Sequence, residues 1–170
     1  MEEAGVGVPL DQVAAQWNHT VVERTPVEFF ATAVFCEITG ESGRIHYAVA
    51  GHPPPLLWRR ASGEVQELTE CRGPLLGVLP DATYRACEAW LESGDVLLLY
   101  TDGAIEARDT RGEMLDTEGL EALFARSAHL SPAEFVKRLA ADIRTGREVR
   151  DDLTLIAIAR TPTDPAGGKP

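Results

Sequence analysis

A continuous apolar strand that ends in a carboxylate is the feature that most constrains this fold. In the stretch GDVLLLYTDGAIEAR, residues 94–108, the five residues from Val96 to Tyr100 are apolar without alternation. Such a run between turn residues is typical of a strand buried on both faces. The run therefore predicts a central strand of a packed sheet. It also predicts that Asp102, just beyond the run, lies at the rim of the core.

The rest of the chain predicts more strands than helices. Apolar residues at helical spacing predict an amphipathic helix over residues 9–23, with Trp17 on its inner face. Runs of β-forming residues between turns predict strands over 29–39, 44–51, 56–60, 64–68, 83–91 and 152–160.

Two more helices and a tail complete the predicted architecture. The helices are expected at about 117–127 and from the cap at Ser131 to about Arg144. This order of elements predicts one α+β domain over residues 1–160, in which antiparallel sheet dominates. The Pro/Gly-rich residues 161–170 are expected to be a disordered tail.

Charge and composition exclude several classes of protein. The net charge of −11 argues against a nucleic-acid partner, because phosphate binding depends on Lys and Arg. No segment approaches the roughly 20 apolar residues of a membrane span, so no membrane association is expected. The three cysteines, Cys36, Cys71 and Cys87, show no metal-ligand spacing and favour a reduced, cytoplasmic setting.

Carboxylates stand at the ends of two predicted strands. Asp102 follows one strand, and Asp151 and Asp152 precede the last one. Acids that converge without a basic partner repel each other, and a divalent cation such as magnesium or manganese removes that repulsion. Gly103 would let the backbone turn and leave room for water on the cation. The alternative is an ordinary strand-ending turn, because Asp-Gly is a common turn pair.

Four motifs in order resemble the SpoIIE branch of the metal-dependent PPM (protein phosphatase 2C-like) serine/threonine phosphatases. They are GHPPPLL at 51–57, GPLLGVLPD at 73–81, GDVLLLYTDGAIEAR at 94–108 and RDDLTLIAIAR at 150–160. The resemblance implies an antiparallel β-sandwich flanked by helices. It also implies a manganese or magnesium pair whose bridging water attacks phosphoserine or phosphothreonine, and a substrate such as a phosphorylated anti-sigma-factor antagonist.

The resemblance also assigns candidate site residues. Asp102 and Asp151 match metal-ligating aspartates, and Asp152 stands where many relatives carry Asn. Gly103 and Asp152 are further candidates near the metal. Arg150 could receive a substrate phosphate or pair with an acid. His52 could act as an acid or ligand, or could tie loops together.

One motif of the family is absent from the sequence. No GDxxGHG-type segment, whose Asp bridges both metals in the family, occurs in the 170 residues. The sequence therefore predicts an N-terminally incomplete family fold, a metal site that is at most half complete, and self-association through uncovered sheet edges. Two functions remain open: a phosphoprotein phosphatase that is weak or inactive as this chain alone, and a non-catalytic pseudophosphatase that binds proteins.

Overall fold

The computed structural model describes residues 7–161, so the predicted tail, apart from its first residue, lies outside the described residues. The chain divides into two compact units, Met1–Pro54 with Thr69–Trp90 and Pro55–Leu68 with Leu91–Pro170. We call them the first unit and the second unit. No helix within 7–161 has the length and apolar character needed to cross a membrane.

The described residues form three α-helices and ten strands, which confirms the predicted α+β class. In chain order they are α1 Leu10–Arg24, β1 Ala33–Ile38, β2 Arg44–Ala50, β3 Leu56–Trp58, β4 Val65–Glu67, β5 Arg72–Gly73, β6 Cys87–Trp90, β7 Val96–Tyr100, β8 Arg108–Asp109, α2 Asp116–Ser127, α3 Pro132–Arg144, β9 Arg147–Glu148 and β10 Leu155–Ala159.

The first unit is a four-stranded sheet with α1 against β2. Strand β2 pairs antiparallel with β1 and with β6, and parallel with β5 over two residues. The side chain of the buried Asn18 fastens α1 to the loop after β5. It donates to the Leu79 carbonyl at 2.8 Å and accepts from the Gly77 amide at 2.9 Å. A polar group in the core is thus satisfied by the backbone that it holds.

The cysteines differ from the sequence-based expectation. Cys71 and Cys87 form a disulfide with Cα atoms 5.8 Å apart, within the usual range for such bridges. The pairing arises because β5 and β6 both pair with β2, which sets Cys87 opposite Tyr47 and Arg72 opposite Val49. A separation of 16 residues along the chain carries no sign of this proximity.

The second unit contains the apolar strand β7, which was predicted to be central. Its sheet has the order β10-β7-β3-β4, with antiparallel pairing throughout. Strand β7 is therefore an interior strand, and Leu97 and Leu98 are fully buried, as predicted. The apolar faces of α2 and α3 join the same core through Phe124 and Phe135, whose rings lie 5.0 Å apart between centroids.

A buried ion pair fixes the beginning of β7. Asp95 is 2% exposed and accepts from the Arg59 guanidinium at 2.8 Å. Its carboxylate also accepts from the backbone amides of Arg60 at 2.9 Å and Glu92 at 3.0 Å. These donors replace the water that the carboxylate loses on burial.

Several boundaries and faces depart from the prediction. The strand expected from residue 29 begins at Ala33, and Phe29 and Phe30 before it are exposed. Trp17 is 56% exposed, because the buried line of α1 runs through Ala14 and Asn18 instead. Because Asn18 is polar, the apolar periodicity of the sequence does not indicate this buried face.

Candidate metal site in the second unit

Two loops meet at one end of the β7–β10 pair. Tyr100 at the end of β7 lies opposite Leu155 at the start of β10, so the residues beyond each strand end are neighbours. The Thr101 hydroxyl donates to the Asp152 carbonyl at 2.7 Å and accepts from the Thr154 amide at 2.9 Å. One threonine side chain therefore fastens the Asp102 loop to the Asp151 loop.

Gly103 permits the close approach of these loops. A Cβ atom at this position would lie 2.7 Å from the Asp152 carbonyl oxygen and 3.1 Å from that of Asp151. Real Cβ atoms essentially never approach backbone oxygen as closely as the shorter distance. The glycine after Asp102 is thus required by contact with the opposite loop. This contact is a stronger constraint than the turn chemistry that the Asp-Gly pair indicates by itself.

Both predicted metal ligands occupy exposed positions in these loops. Asp102 Oδ1 accepts from the Gly103 amide at 3.0 Å, and Asp151 Oδ1 accepts from the Asp152 amide at 2.7 Å. Among residues 7–161, no Lys, Arg or His forms a salt bridge with either carboxylate. Each carboxylate thus accepts a local hydrogen bond, and no cationic side chain within the described residues compensates its charge.

The donor set suits a hard divalent cation but is small. Carboxylate oxygens are the ligands that magnesium and manganese prefer. Within the described part of the chain, however, no group of three or more His, Cys, Asp or Glu side chains is arranged to hold a metal ion. Asp102 and Asp151 therefore stay candidate ligands for a divalent cation.

The remaining candidates have protein partners of their own. The Arg150 guanidinium donates two hydrogen bonds to Glu148, at 2.9 and 3.1 Å, and this hydrogen bonding raises the pKa of Arg150. His52, in the first unit, shares a hydrogen bond of 2.8 Å between its Nδ1 and the Thr32 hydroxyl. His52 thus links the residues just before β1 and just after β2.

Thr101 is a site residue that the sequence did not predict. Its position between the buried strand and Asp102 gave no functional signal, because threonine is common in strands. Thr154 contributes only its backbone amide to this contact, so its side chain gave no signal either. Paired hydroxyl and amide groups at facing strand ends are the contacts that hold such loops together.

The solved structures that resemble the chain define its fold. The PP2C phosphatase domain of SpoIIE from Bacillus subtilis, with a fragment of its regulatory domain, superposes with a TM-score of 0.71 at 18% identity, over 89% of this chain and 44% of that one. The RsbU and RsbW domains of Rv1364c from Mycobacterium tuberculosis superpose with a TM-score of 0.60 at 32% identity, over 78% of this chain and 37% of that one. The predicted PPM phosphatase-like fold is confirmed.

Sequence comparison then identifies the family. The sequence profile of the family Stage II sporulation protein E (SpoIIE) matches residues 2–161. The chain therefore belongs to the SpoIIE family. Phosphoserine phosphatase RsbU of Bacillus subtilis (strain 168) is 28% identical over 156 residues, which are 91% of this chain and 46% of RsbU. Phosphoserine phosphatase RsbP of the same strain is 36% identical over 77 residues, 45% of this chain and 19% of RsbP. The chain thus spans less than half the length of these two relatives.

Proposed function

We propose that this chain is the phosphatase domain, or part of it, of a metal-dependent protein phosphatase that acts on phosphoserine or phosphothreonine. The substrate would be a bacterial regulatory phosphoprotein such as an anti-sigma-factor antagonist. The observation that carries the proposal is the contact of the Asp102 and Asp151 loops across Gly103. Membership of the SpoIIE family and the names of RsbU and RsbP support the same reaction.

The two aspartates would hold a manganese or magnesium ion, with Asp152 as a further candidate. When bound, such an ion lowers the pKa of coordinated water and offsets negative charge on a phosphoryl group. The chain's own residues hold the two aspartates in position. Strand β7 holds Asp102 on a buried frame, and the Thr101 hydroxyl keeps the opposite loop in register. Ligands on rigid elements retain their geometry better than ligands on free loops.

This chain alone is expected to have little activity. The 170 residues contain no GDxxGHG-type motif, and residues 7–161 hold no group of three metal-binding side chains. The same observation favours the second candidate function, a pseudophosphatase that binds a regulatory protein without hydrolysing it. We also propose that the chain self-associates through the edge strand β10, on which Ile156 is half exposed. Light scattering would detect this self-association.

Hydrolysis of a phosphoserine peptide with manganese distinguishes the two functions. The proteins to compare are this chain and a fusion that adds a SpoIIE-family segment carrying the GDxxGHG-type motif. We expect the chain alone to stay near background and the fusion to turn over, because the missing carboxylate completes the metal centre. In the fusion, Asp102→Asn should abolish activity, whereas the exposed Asp81→Asn in the first unit should not.

Two outcomes would contradict this account. A well-folded fusion without activity that still binds the phosphoprotein would favour the pseudophosphatase. Full manganese-dependent turnover by residues 1–170 alone would show that another carboxylate, with Glu106 or Asp152 first to be tested, completes the metal site.

A further inference from the structure

An arginine-lined cavity lies beside the end of α3 in the second unit. It is open, measures about 590 Å³, and is lined by three arginines and two acids. The arginines are Arg108, Arg144 and Arg147, and we call this site the arginine cavity. Gly146, in the left-handed conformation with φ of 70°, turns the chain between α3 and β9 and so places Arg144 and Arg147 on the same cavity.

The two acids of the arginine cavity are already engaged elsewhere. Glu148 accepts two hydrogen bonds from Arg150, at 2.9 and 3.1 Å. Asp109 Oδ1 accepts from the backbone amides of Arg111 at 2.8 Å and Glu113 at 3.0 Å. Three arginines against these two acids leave the lining of the arginine cavity with one excess positive charge.

The arginines, in contrast, keep donors available. The half-buried Arg147 side chain forms no salt bridge or hydrogen bond with any residue in 7–161. Arg108 uses Nη1 for the Gly112 carbonyl at 2.7 Å, and Arg144 uses Nη1 for the Ala140 carbonyl at 3.1 Å. A guanidinium has five N–H donors, so most of the donor capacity of the cavity remains for a ligand.

The β8–β9 ladder connects the arginine cavity to the two aspartate loops along the chain. Strand β8 begins six residues after Asp102, and β9 ends three residues before Asp151. Pairing of Arg108 with Glu148 and of Asp109 with Arg147 joins the segment that leaves one loop to the segment that enters the other. A peptide whose phosphoserine lay at the aspartates would therefore have this cavity nearby.

We propose that the arginine cavity binds acidic side chains of the phosphoprotein substrate, beside its phosphoserine. This inference rests on the proposed phosphatase function of the Asp102 and Asp151 loops. Guanidinium groups match carboxylates in both charge and hydrogen-bond geometry. A chain with a net charge of −11 repels acidic partners at long range, so a local cluster of arginines is where such a partner gains attraction.

Binding of an unphosphorylated peptide without metal tests the cavity separately from catalysis. The probe is a fluorescein-labelled Gly/Ser peptide containing four Glu, compared with the same peptide containing four Gln, in EDTA at low salt. Fluorescence anisotropy should show a preference for the Glu peptide. We expect Arg144→Gln and Arg147→Gln each to weaken its binding about threefold, and the double variant about tenfold, as for solvent-accessible ion pairs.

Arg85→Gln is the matched control, because it removes the same charge from an exposed position in the first unit. It should change the affinity by less than about twofold, since the charge it removes lies outside the arginine cavity. Circular dichroism checks that every variant is folded. Equal binding of the Glu and Gln peptides, or equal weakening by Arg85→Gln and Arg147→Gln, would overturn the proposal.

The two proposals fail in different ways. Selective Glu-peptide binding in EDTA, together with an inactive fusion protein, would leave the arginine cavity standing and refute the phosphatase function. An active fusion protein without selective Glu-peptide binding would refute the cavity and retain the phosphatase function.

Discussion

Two aspartates flank the same buried strand and differ in almost every physical respect. Asp95, just before β7, is 2% exposed and accepts one guanidinium and two backbone hydrogen bonds. Asp102, just after β7, is exposed and accepts one hydrogen bond from the next residue. The first carboxylate is satisfied by the fold, whereas the second retains capacity to bind a ligand.

The difference shows how one strand serves both stability and function. A buried charge without partners costs several kcal/mol, so Asp95 needs its donors for the strand to form at all. An exposed carboxylate keeps its hydration and needs no such partners. Placing that carboxylate at the end of a buried strand gives it a fixed position without a cost to the core. Substitutions at the two aspartates should therefore affect stability and metal binding separately.

Removing Asp95 should produce the largest loss of stability. Asp95→Ala leaves the Arg59 guanidinium and two backbone amides without their acceptor. We expect the free energy of unfolding to fall by about 3 kcal/mol. Asp102→Ala is the matched control and should change it by less than about 0.5 kcal/mol. Urea denaturation measures the free energy of unfolding of both variants. Equal losses would show that Asp95 and Asp102 do not differ in their contribution to stability.

Adding one methyl group at Gly103 should have an intermediate effect. The Cβ of Gly103→Ala would lie 2.7 Å from the Asp152 carbonyl, so the two loops must separate. We expect a loss of about 1–3 kcal/mol in the free energy of unfolding, as for other overpacked sites. Gly40→Ala is the control, because no atom lies within 4 Å of its added Cβ. A stability of Gly103→Ala equal to that of the control would show that the loops do not need their close contact.

A third carboxylate, Glu88 in the first unit, is exposed and has a basic partner. His46 Nε2 and Glu88 Oε1 lie 2.6 Å apart, and this hydrogen bond lowers the pKa of Glu88 from its usual 4.5. A carboxyl group whose pKa is lower in the folded state than in the unfolded state stabilises the fold at pH values above its unfolded pKa. This stabilisation is lost as the pH falls through the folded-state pKa. Glu88→Gln should therefore reduce the acid dependence of stability below pH 4.5 by a small amount. Thermal melts from pH 3 to pH 7 would detect it, and identical profiles would contradict the ion pair.

The sequence predicted the second unit better than the first. Unbroken apolar residues identify β7, and the Ser131 cap with Pro132 identifies the start of α3. These signals are local, so they can be read without knowledge of the tertiary structure. The prediction that Trp17 lies on the inner face of α1 was wrong, because the buried face of this helix includes the polar Asn18.

Long-range pairing explains the other differences. The Cys71–Cys87 disulfide depends on two strands meeting a third, which no short motif indicates. For the candidate site, the sequence predicted the two aspartates and the glycine. The contact of Gly103 with the opposite loop and the Thr101 link depend on the pairing of β7 with β10, so only the structure reveals them.

Calorimetric titration with manganese tests the central claim, that Asp102 and Asp151 hold a divalent cation, most directly. We expect weak binding of one manganese ion to the 170-residue chain, lost in Asp102→Asn and in Asp151→Asn, because each substitution removes one of two charged ligands. Asp109→Asn, whose carboxylate caps its own loop, is the control and should bind as the unaltered chain does. Manganese binding that is unchanged by both Asp102→Asn and Asp151→Asn would contradict the account.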